Sequence, residues 1–201
     1  MGRPRLLIAT TNPGKVAEYR LLLGELPYVL VTPAEVGVKL EVEERGATFE
    51  ENAVAKALTF AQASGLLTLA DDSGLEVDAL GGAPGVRSAR YAGPGATDGD
   101  RVQALLEALE GVPQERRTAR FRCVIALAWP DGRVETCEGK VEGMVALEPA
   151  GENGFGYDPI FYLPERGVTI AHLNSEEKNA ISHRGAAARM AARLLAVMVK
   201  S

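Results

Sequence analysis

The sequence predicts an α/β fold built around a mixed β-sheet. The first half of the chain alternates apolar runs of strand length with helical segments, in the order strand, helix, strand, helix, strand. Two long strand-like segments joined by a tight turn follow, and an amphipathic segment closes the chain. Alternating strands and helices are typical of a sheet flanked by helices, and the hairpin adds an antiparallel pair. The 201 residues, 46% of them hydrophobic, suffice for one compact core, with a two-lobed single domain as the alternative.

The first strand and helix are predicted close to the N-terminus. Residues 6–9 form an apolar run of strand length. The segment 10–15, Thr-Thr-Asn-Pro-Gly-Lys, has the composition of a loop. A helix should follow it to about Leu23, with Gly24 at its end, and residues 29–31 are predicted as the second strand.

The second helix is predicted from a capping box, in which Thr48 caps the first turn and Glu51 reaches back to it. The helix should end at about Ser64. Its buried stripe should consist of Phe49, Ala53, Ala57 and Phe60. Asn52 and Lys56 are spaced one turn apart and should therefore share a different face of the helix.

The next elements are predicted from apolar runs and turn residues. A third strand over residues 67–70 should run into a polar break at 71–74, with strand-like residues 75–80 beyond it. A glycine-rich turn with a proline occupies residues 81–85. Thr97, followed by an aspartate three residues later, marks a further helix that should close near residue 110.

The second half of the chain begins with a hairpin. A long strand is predicted from large apolar residues at every second position, namely Phe121, Cys123, Ile125, Leu127 and Trp129. A turn covers 130–132, and the chain returns from Val134. Residues 151–159 are predicted to be a glycine-rich loop. The last helix is expected over about 185–199, where apolar residues recur at helical spacing.

Composition excludes several classes of protein. The net charge is -5 and no basic stripe is present, which argues against a general nucleic-acid-binding protein. No run of about 18 apolar residues suggests a membrane span, and no leader segment is apparent, so we expect a cytoplasmic protein. Cys123 and Cys137 lack the spacing of paired metal ligands, and we expect two buried free thiols, with a disulfide as the alternative.

The loop at 10–15 is the first segment with potential chemistry. It lies between a strand and a helix start, where backbone N–H groups, a glycine and Lys15 form a plausible phosphate cradle. It matches neither the GxxxxGK[ST] nor the GxGxxG pattern. Taken alone, an ordinary strand-to-helix turn with a solvated lysine is the better interpretation.

The second segment is Asp71-Asp72-Ser73-Gly74, which follows an apolar strand. Successive side chains of an extended backbone point to opposite faces, so one aspartate is expected to face a given site. Carboxylates suit Mg²⁺, and the acidic stretch containing Glu41, Glu43 and Glu44 is a source of a second ligand. Two solvated loop aspartates are an equally good interpretation from this segment alone.

Two further segments lie near the C-terminus. In Gly154-Phe155-Gly156-Tyr157-Asp158, glycines bracket an aromatic residue that is suited to stacking on a base, although a tight turn is the better interpretation of this segment alone. Ser182 is a candidate cap of the last helix, which would place His183 and Arg184 at its positive end, with Lys178 upstream. A solvated, charged helix connection is the alternative.

Together and in this order, these segments resemble the inosine triphosphate pyrophosphatase family, specifically its bacterial dITP/XTP pyrophosphatases. The resemblance covers nearly the whole chain. It is carried by Ala9 to Lys15, Thr48 to Ala53, Ala70 to Leu75, Leu80 to Gly85, Ser88 to Tyr91, Gly154 to Pro159 and Ser182 to Gly185. It implies an elongated mixed sheet with flanking helices, two lobes around a central nucleotide cleft within one domain of residues 1–201, and a homodimer.

The resemblance also implies roles for residues. Asp72 matches the catalytic carboxylate, which holds Mg²⁺ and serves as base for the attacking water, and Glu44 matches a second metal ligand. The phosphate-binding loop corresponds to Thr10, Thr11, Asn12, Pro13, Gly14 and Lys15. Lys56 matches a contact to the triphosphate. The remaining matches to nucleotide contacts are Ser73, Phe155, Gly156, Tyr157, Asp158, Lys178, His183 and Arg184.

The predicted function is hydrolysis of ITP, dITP and XTP to the monophosphate and pyrophosphate, which clears non-standard purines from the nucleotide pool. Donors from His183, Arg184 and nearby backbone, aimed at a 6-oxo group, would reject adenine, which presents an amino donor there. A pyrophosphatase for other modified or pyrimidine nucleotides is the first alternative. A nucleotide sensor without catalysis is the second, and the pairing of Asp72 with Glu44 argues against it.

Overall fold

The computed structural model describes residues 2–198 and contains a seven-stranded mixed sheet. Its strands are β1 (Arg5–Ile8), β2 (Val29–Val31), β3 (Leu67–Val77), β4 (Thr118–Ala128), β5 (Val134–Val145), β6 (Phe161–Leu163) and β7 (Val168–Thr169), in the spatial order β2-β1-β3-β4-β5-β6-β7. Strand β1 pairs in parallel with β2 and β3, whereas β6 pairs antiparallel with β5 and β7. The predicted α/β class with a mixed sheet is confirmed. Strands β6 and β7 were not predicted, because such short segments carry no periodic pattern.

Five α-helices accompany the sheet within the described residues. They are α1 (Pro13–Leu23), α2 (Phe49–Ser64), α3 (Asp98–Ala108), α4 (Ser175–Ile181) and α5 (His183–Met198). Helix α5 begins two residues before the predicted start, and the predicted end at Val199 lies outside the described residues. The segment 174–184, for which a solvated, charged helix connection was the alternative interpretation, contains α4, which begins with a reciprocal capping box between Asn174 and Glu177.

Local capping explains where the first two helices begin. The Asn12 side chain accepts hydrogen bonds from the backbone N–H groups of Gly14 and Lys15, as the N-cap of α1. Thr48 accepts from the Glu51 backbone, as predicted. The Glu51 carboxylate, however, accepts from the N–H of Ala47, one residue before the cap, so the predicted reciprocal bond to Thr48 is wrong. The predicted stripe of α2 is confirmed, since all four of its residues are buried.

Strand β3 differs from the prediction in a way that matters for function. The polar segment 71–74 was expected to break the chain between two strands, but β3 runs without interruption through it. Asp71 and Asp72 are therefore strand residues, and both are buried. A strand tolerates buried carboxylates where they have charged or hydrogen-bonding partners, and here Lys15 pairs with Asp71 and Asn52 with Asp72.

The described residues divide into two compact units, each with its own core. The first comprises those within 1–72, 123–139 and 184–201, and the second those within 73–122 and 140–183. The core of the first includes Leu6, Ile8, Tyr19, Leu69, Ile125 and Leu195. The core of the second includes Leu75, Val77, Leu105, Phe121, Phe161 and Ile170. Cys123 and Cys137 are buried free thiols, as predicted, and among the described helices none has the length and apolarity to cross a bilayer.

Candidate active site

The loop at residues 10–15, here called the phosphate loop, lies at the surface of the first unit. The Asn12 carboxamide oxygen accepts from the backbone N–H groups of Gly14 and Lys15 at 2.8 and 3.2 Å, and the backbone N–H of Asn12 donates to the Thr10 hydroxyl. Thr11 and Pro13 are exposed. The cap thus occupies two of the helix-start N–H groups, which leaves the ammonium of Lys15 and the threonine hydroxyls as the loop's evident groups for an anion.

The Asp71 carboxylate pairs with Lys15 of this loop and with Arg184 of α5. Its Oδ2 atom lies 2.8 Å from the Nζ atom of Lys15 and 3.4 Å from an Nη atom of Arg184. The other Nη atom of Arg184 lies 2.6 Å from a Glu18 carboxylate oxygen. Both Asp71 and Arg184 are almost completely buried, so this network is a built-in part of the first unit.

Asp72, the predicted catalytic carboxylate, is held by a different partner. Its Oδ2 atom accepts a hydrogen bond of 2.8 Å from the buried amide of Asn52 in α2. One turn further along α2, Lys56 forms a 2.5 Å ion pair with Glu44. The two helix residues that the spacing placed on one face thus contact the two predicted metal ligands. Of the other acidic candidates, Glu43 pairs with Arg45 and Glu41 is exposed.

The two aspartates differ in their electrostatics. Burial alone would raise the pKa of the Asp71 carboxyl, but Lys15, Arg184 and Lys56 hold it well below the usual value. Burial raises the pKa of Asp72, and the nearby charge of Glu44 raises it further, against the opposing effects of Asn52 and Lys56. Adjacent residues of one strand therefore have opposite character: one is a permanent anion and the other a carboxylate with increased proton affinity.

Lys56 lies within the field of all three carboxylates. Burial would lower the pKa of its ammonium, but Asp71 and Glu44, followed by Asp72, outweigh that effect and raise it.

The first unit therefore contains three cations, Lys15, Lys56 and Arg184, among four carboxylates, Glu18, Glu44, Asp71 and Asp72. We call these seven residues the charge cluster. Its formal charge is one negative in excess, which suits a divalent cation together with an anionic ligand.

The second unit carries the aromatic segment of the predicted site. Phe155 is half-buried, and the Lys178 ammonium lies 4.5 Å from its ring centroid. The Nζ atom of Lys178 also lies 2.5 Å from an oxygen of buried Asp158, which accepts the N–H of Phe155 as well. Asp158 is thereby part of the framework of its own loop, and it holds the Lys178 ammonium beside the Phe155 ring.

Two residues that the sequence analysis did not select support this loop. Asp98, the first residue of α3, accepts the N–H of Gly156 at 2.7 Å and pairs with Arg101. The backbone carbonyl of Ser88 accepts the hydroxyl proton of buried Tyr157 at 2.9 Å. The motif containing Ser88 was noted but given no role, and no local pattern connects Asp98 with a loop 58 residues later.

The remaining predicted residues lie where α5 begins and along β3. His183 is buried and stacks on Phe121, with ring centroids 4.7 Å apart. Arg184, the next residue, forms ion pairs with Glu18 and Asp71. Ser73 follows Asp72 in β3 and is half-buried. The phosphate loop, Asp72, Glu44, Lys56 and Arg184 belong to the first unit, and the other predicted contacts, from Ser73 to His183, belong to the second.

Comparisons with known proteins agree with the motifs. A profile of the Ham1 family matches residues 6–194. The dITP/XTP pyrophosphatase of Desulforamulus reducens is 55% identical over 191 residues, covering 95% of each chain. That of Bacillus subtilis is 50% identical over 189 residues, covering 94% of this chain and 96% of its own. The solved structure of a HAM1 protein from Coxiella burnetii superposes with a TM-score of 0.87 at 46% identity, covering 98% of this chain and 100% of its own.

Proposed function

Because the chain belongs to the Ham1 family, we propose that it hydrolyses ITP, dITP and XTP to the monophosphate and pyrophosphate. Relatives at 50% and 55% identity over nearly the whole chain bear the name dITP/XTP pyrophosphatase. The observation that carries the proposal is the charge cluster, in which two lysines and an arginine are interleaved with four carboxylates. A polyphosphate with its cation is the ligand class that such a set fits.

Asp72 and Glu44 are the proposed ligands of Mg²⁺. The residues fit this ion, because the charge of Glu44 raises the pKa of Asp72, and a cation between them would relieve that repulsion. Within residues 2–198 no group of three or more His, Cys, Asp or Glu side chains has metal-binding geometry. Mg²⁺ commonly uses one or two carboxylates and completes its shell with water and substrate phosphates. When bound, it supplies neutralisation of phosphate charge and acidification of water.

The chain's own residues would then carry the remaining chemistry. Water attacks the α-phosphorus, its proton passes to Asp72, and the bond from the α-phosphorus to the bridging oxygen breaks to release pyrophosphate. The raised pKa of Asp72 makes it a better proton acceptor, and the hydrogen bond from Asn52 fixes its orientation. Lys15 and Lys56 stabilise the charge that develops on the leaving pyrophosphate.

Base selection is proposed to involve the second unit. Phe155 presents a partly exposed ring for stacking on a purine, with its backbone held by Asp158. Lys178 and His183 are the proposed donors toward a 6-oxo group. Ser73, Gly156 and Tyr157 are further proposed contacts to the nucleotide. Arg184 contributes through the position of the α5 start, since its guanidinium is already paired. Adenine would place an amino donor against these donors and leave both unsatisfied.

The family resemblance also supports two wider proposals, a homodimer and a cytoplasmic location. Neither a nucleic acid nor a membrane is a proposed partner, given the net charge of -5 and the charge cluster's fit to a small anion.

The test is a panel of nucleoside triphosphates with Mg²⁺, in which released pyrophosphate and orthophosphate are measured separately. We expect pyrophosphate from ITP, dITP and XTP and little from ATP. Pyrophosphate from pyrimidine or other modified nucleotides alone would favour the first alternative function. Binding without turnover would indicate a sensor, and orthophosphate as the first product would refute attack at the α-phosphorus.

A further inference from the structure

We propose that Asp71 is a positioning residue for this reaction, whose buried carboxylate, anchored by Arg184, holds Lys15 in place for the pyrophosphate group. The inference rests on the proposed function, because Lys15 is assigned there to the leaving group. It concerns a residue to which neither the family resemblance nor the motif analysis gave a role of its own.

Asp71 is too deeply buried to contact substrate itself. Its side chain is 1% exposed, and one of its oxygens faces two cations. It is adjacent to Asp72 in β3, and successive side chains of a strand point to opposite faces. The proposed base Asp72 thus faces Asn52 of α2, while Asp71 faces the opposite side of the strand.

The partners of Asp71 come from three separate segments of the chain. Lys15 lies in the first turn of α1, Arg184 in the first turn of α5, and the thiol of Cys123, 3.8 Å from the same oxygen, in β4. One carboxylate oxygen therefore fixes three separate chain segments of the first unit around β3. Glu18 supports the same arrangement, because it holds the other end of the Arg184 guanidinium.

Fixing Lys15 in this way should favour binding of pyrophosphate. A lysine side chain loses considerable rotamer entropy when it is fixed. Asp71 fixes Lys15 on folding, so that loss is not incurred when pyrophosphate binds, which is preorganisation. An ammonium has three N–H donors, so Lys15 keeps donors for a phosphate while one faces Asp71. Direct repulsion between Asp71 and the phosphate opposes this effect. Removing the Asp71 charge therefore weakens pyrophosphate binding if positioning dominates and tightens it if repulsion dominates.

The experiment measures binding of inorganic pyrophosphate by calorimetry, together with kcat and KM for XTP. The variant Asp71→Asn removes the charge at nearly constant volume. The matched control is Glu35→Gln, which removes the exposed carboxylate that pairs with Arg20 in the same unit. We expect Asp71→Asn to weaken pyrophosphate binding and raise KM by about tenfold each, with a smaller loss of kcat. Unchanged or tighter pyrophosphate binding would overturn the proposal, because repulsion would then dominate.

A double-mutant cycle separates positioning from a general structural effect. If Asp71 acts through Lys15, the double variant with Lys15→Met should bind pyrophosphate within about twofold of Lys15→Met alone. Fully additive losses would overturn this link. If Asp71→Asn does not fold, Glu18→Gln tests the same network, because it loosens Arg184, the second cation on Asp71. An unchanged KM in that variant would refute the role of Arg184 as an anchor of Asp71.

The outcome is distinguishable from failure of the proposed function. If the unaltered protein releases no pyrophosphate from any triphosphate, the function is refuted. The calorimetric comparison of pyrophosphate binding still tests the link between Asp71 and Lys15 in that case, because it requires no turnover.

Discussion

Replacing Asp72 with asparagine should abolish turnover and make the metal-free protein more stable at neutral pH. The substitution keeps the shape of the side chain, and an asparagine oxygen can accept the 2.8 Å hydrogen bond from Asn52 in place of the carboxylate. The contact is therefore retained, and only the charge is lost. Loss of a general base costs about 10²–10⁴-fold in rate, and loss of a proposed metal ligand adds to it, so we expect kcat to fall by at least about 10³-fold.

The stability gain follows from the raised pKa of Asp72, which burial and the charge of Glu44 cause. An acid whose pKa is higher in the folded chain binds its proton more tightly there, so its ionisation opposes folding. Below the ordinary aspartate pKa both states hold the proton, and the variant and the unaltered protein should be equally stable. As pH rises through the ordinary pKa and then the raised one, the unaltered protein loses stability relative to Asp72→Asn. Removing one such repulsion is worth on the order of 1 kcal/mol, or about 2–4 °C in Tm for a chain of this size.

The assay is thermal unfolding followed by circular dichroism between acid and neutral pH, with a chelator present, alongside pyrophosphate release from XTP. The control is Asp131→Asn, the same chemical change in the exposed hairpin turn. If Asp72→Asn kept more than about a tenth of the turnover, Asp72 would not be the base. If the variant were equally or less stable at neutral pH, or if its gain in stability did not depend on pH, the ionised Asp72 carboxylate would not oppose folding.

Two further predictions concern the neighbours of this residue and the aromatic loop. Lys56→Met should tighten Mg²⁺ binding, measured by calorimetry without substrate, by about 5–10-fold, because the ammonium 2.5 Å from Glu44 no longer competes for that carboxylate. The same variant should lower kcat by roughly 10²-fold through loss of a donor to the leaving group, and weaker Mg²⁺ binding would contradict the competition. Asp98→Asn weakens the acceptor of the Gly156 N–H group and should raise KM for XTP several-fold with little change in kcat. An unchanged KM would mean that the loop holds its position without Asp98.

Much of the local structure was predictable because short-range interactions determine it. The start of α1 depends on a side chain that bonds to N–H groups two and three residues later, and its end is at a glycine, Gly24. The hairpin of β4 and β5 closes through a tight turn of adjacent residues. The four buried positions of α2 follow from helical spacing alone. The loop at residues 10–15 was found in the same way, because it lies at the start of α1.

Predictions failed where a residue's environment comes from distant parts of the chain. The break expected at residues 71–74 was inferred from polarity, but Asp71 is stabilised inside β3 by Lys15 and Arg184, which lie far from it in sequence. Asp98 and Ser88 have no pattern that connects them to the aromatic loop that they support. Burial of the two carboxylates is what distinguishes a continuous strand from a polar break here, and only the tertiary structure shows it.

By itself, the sequence determined the fold class, most element boundaries and the set of residue types suited to a triphosphate and a divalent cation. The tertiary structure decided which of two adjacent aspartates is a permanent anion and which has an increased affinity for a proton. The reason is physical: a pKa depends on burial and on charges within a few ångströms, and in the first unit those charges come from α1, α2, the segment before α2, and α5. Short-range patterns in a sequence describe hydrogen bonds along the chain, whereas the field at a buried carboxylate is set by segments that only folding brings together.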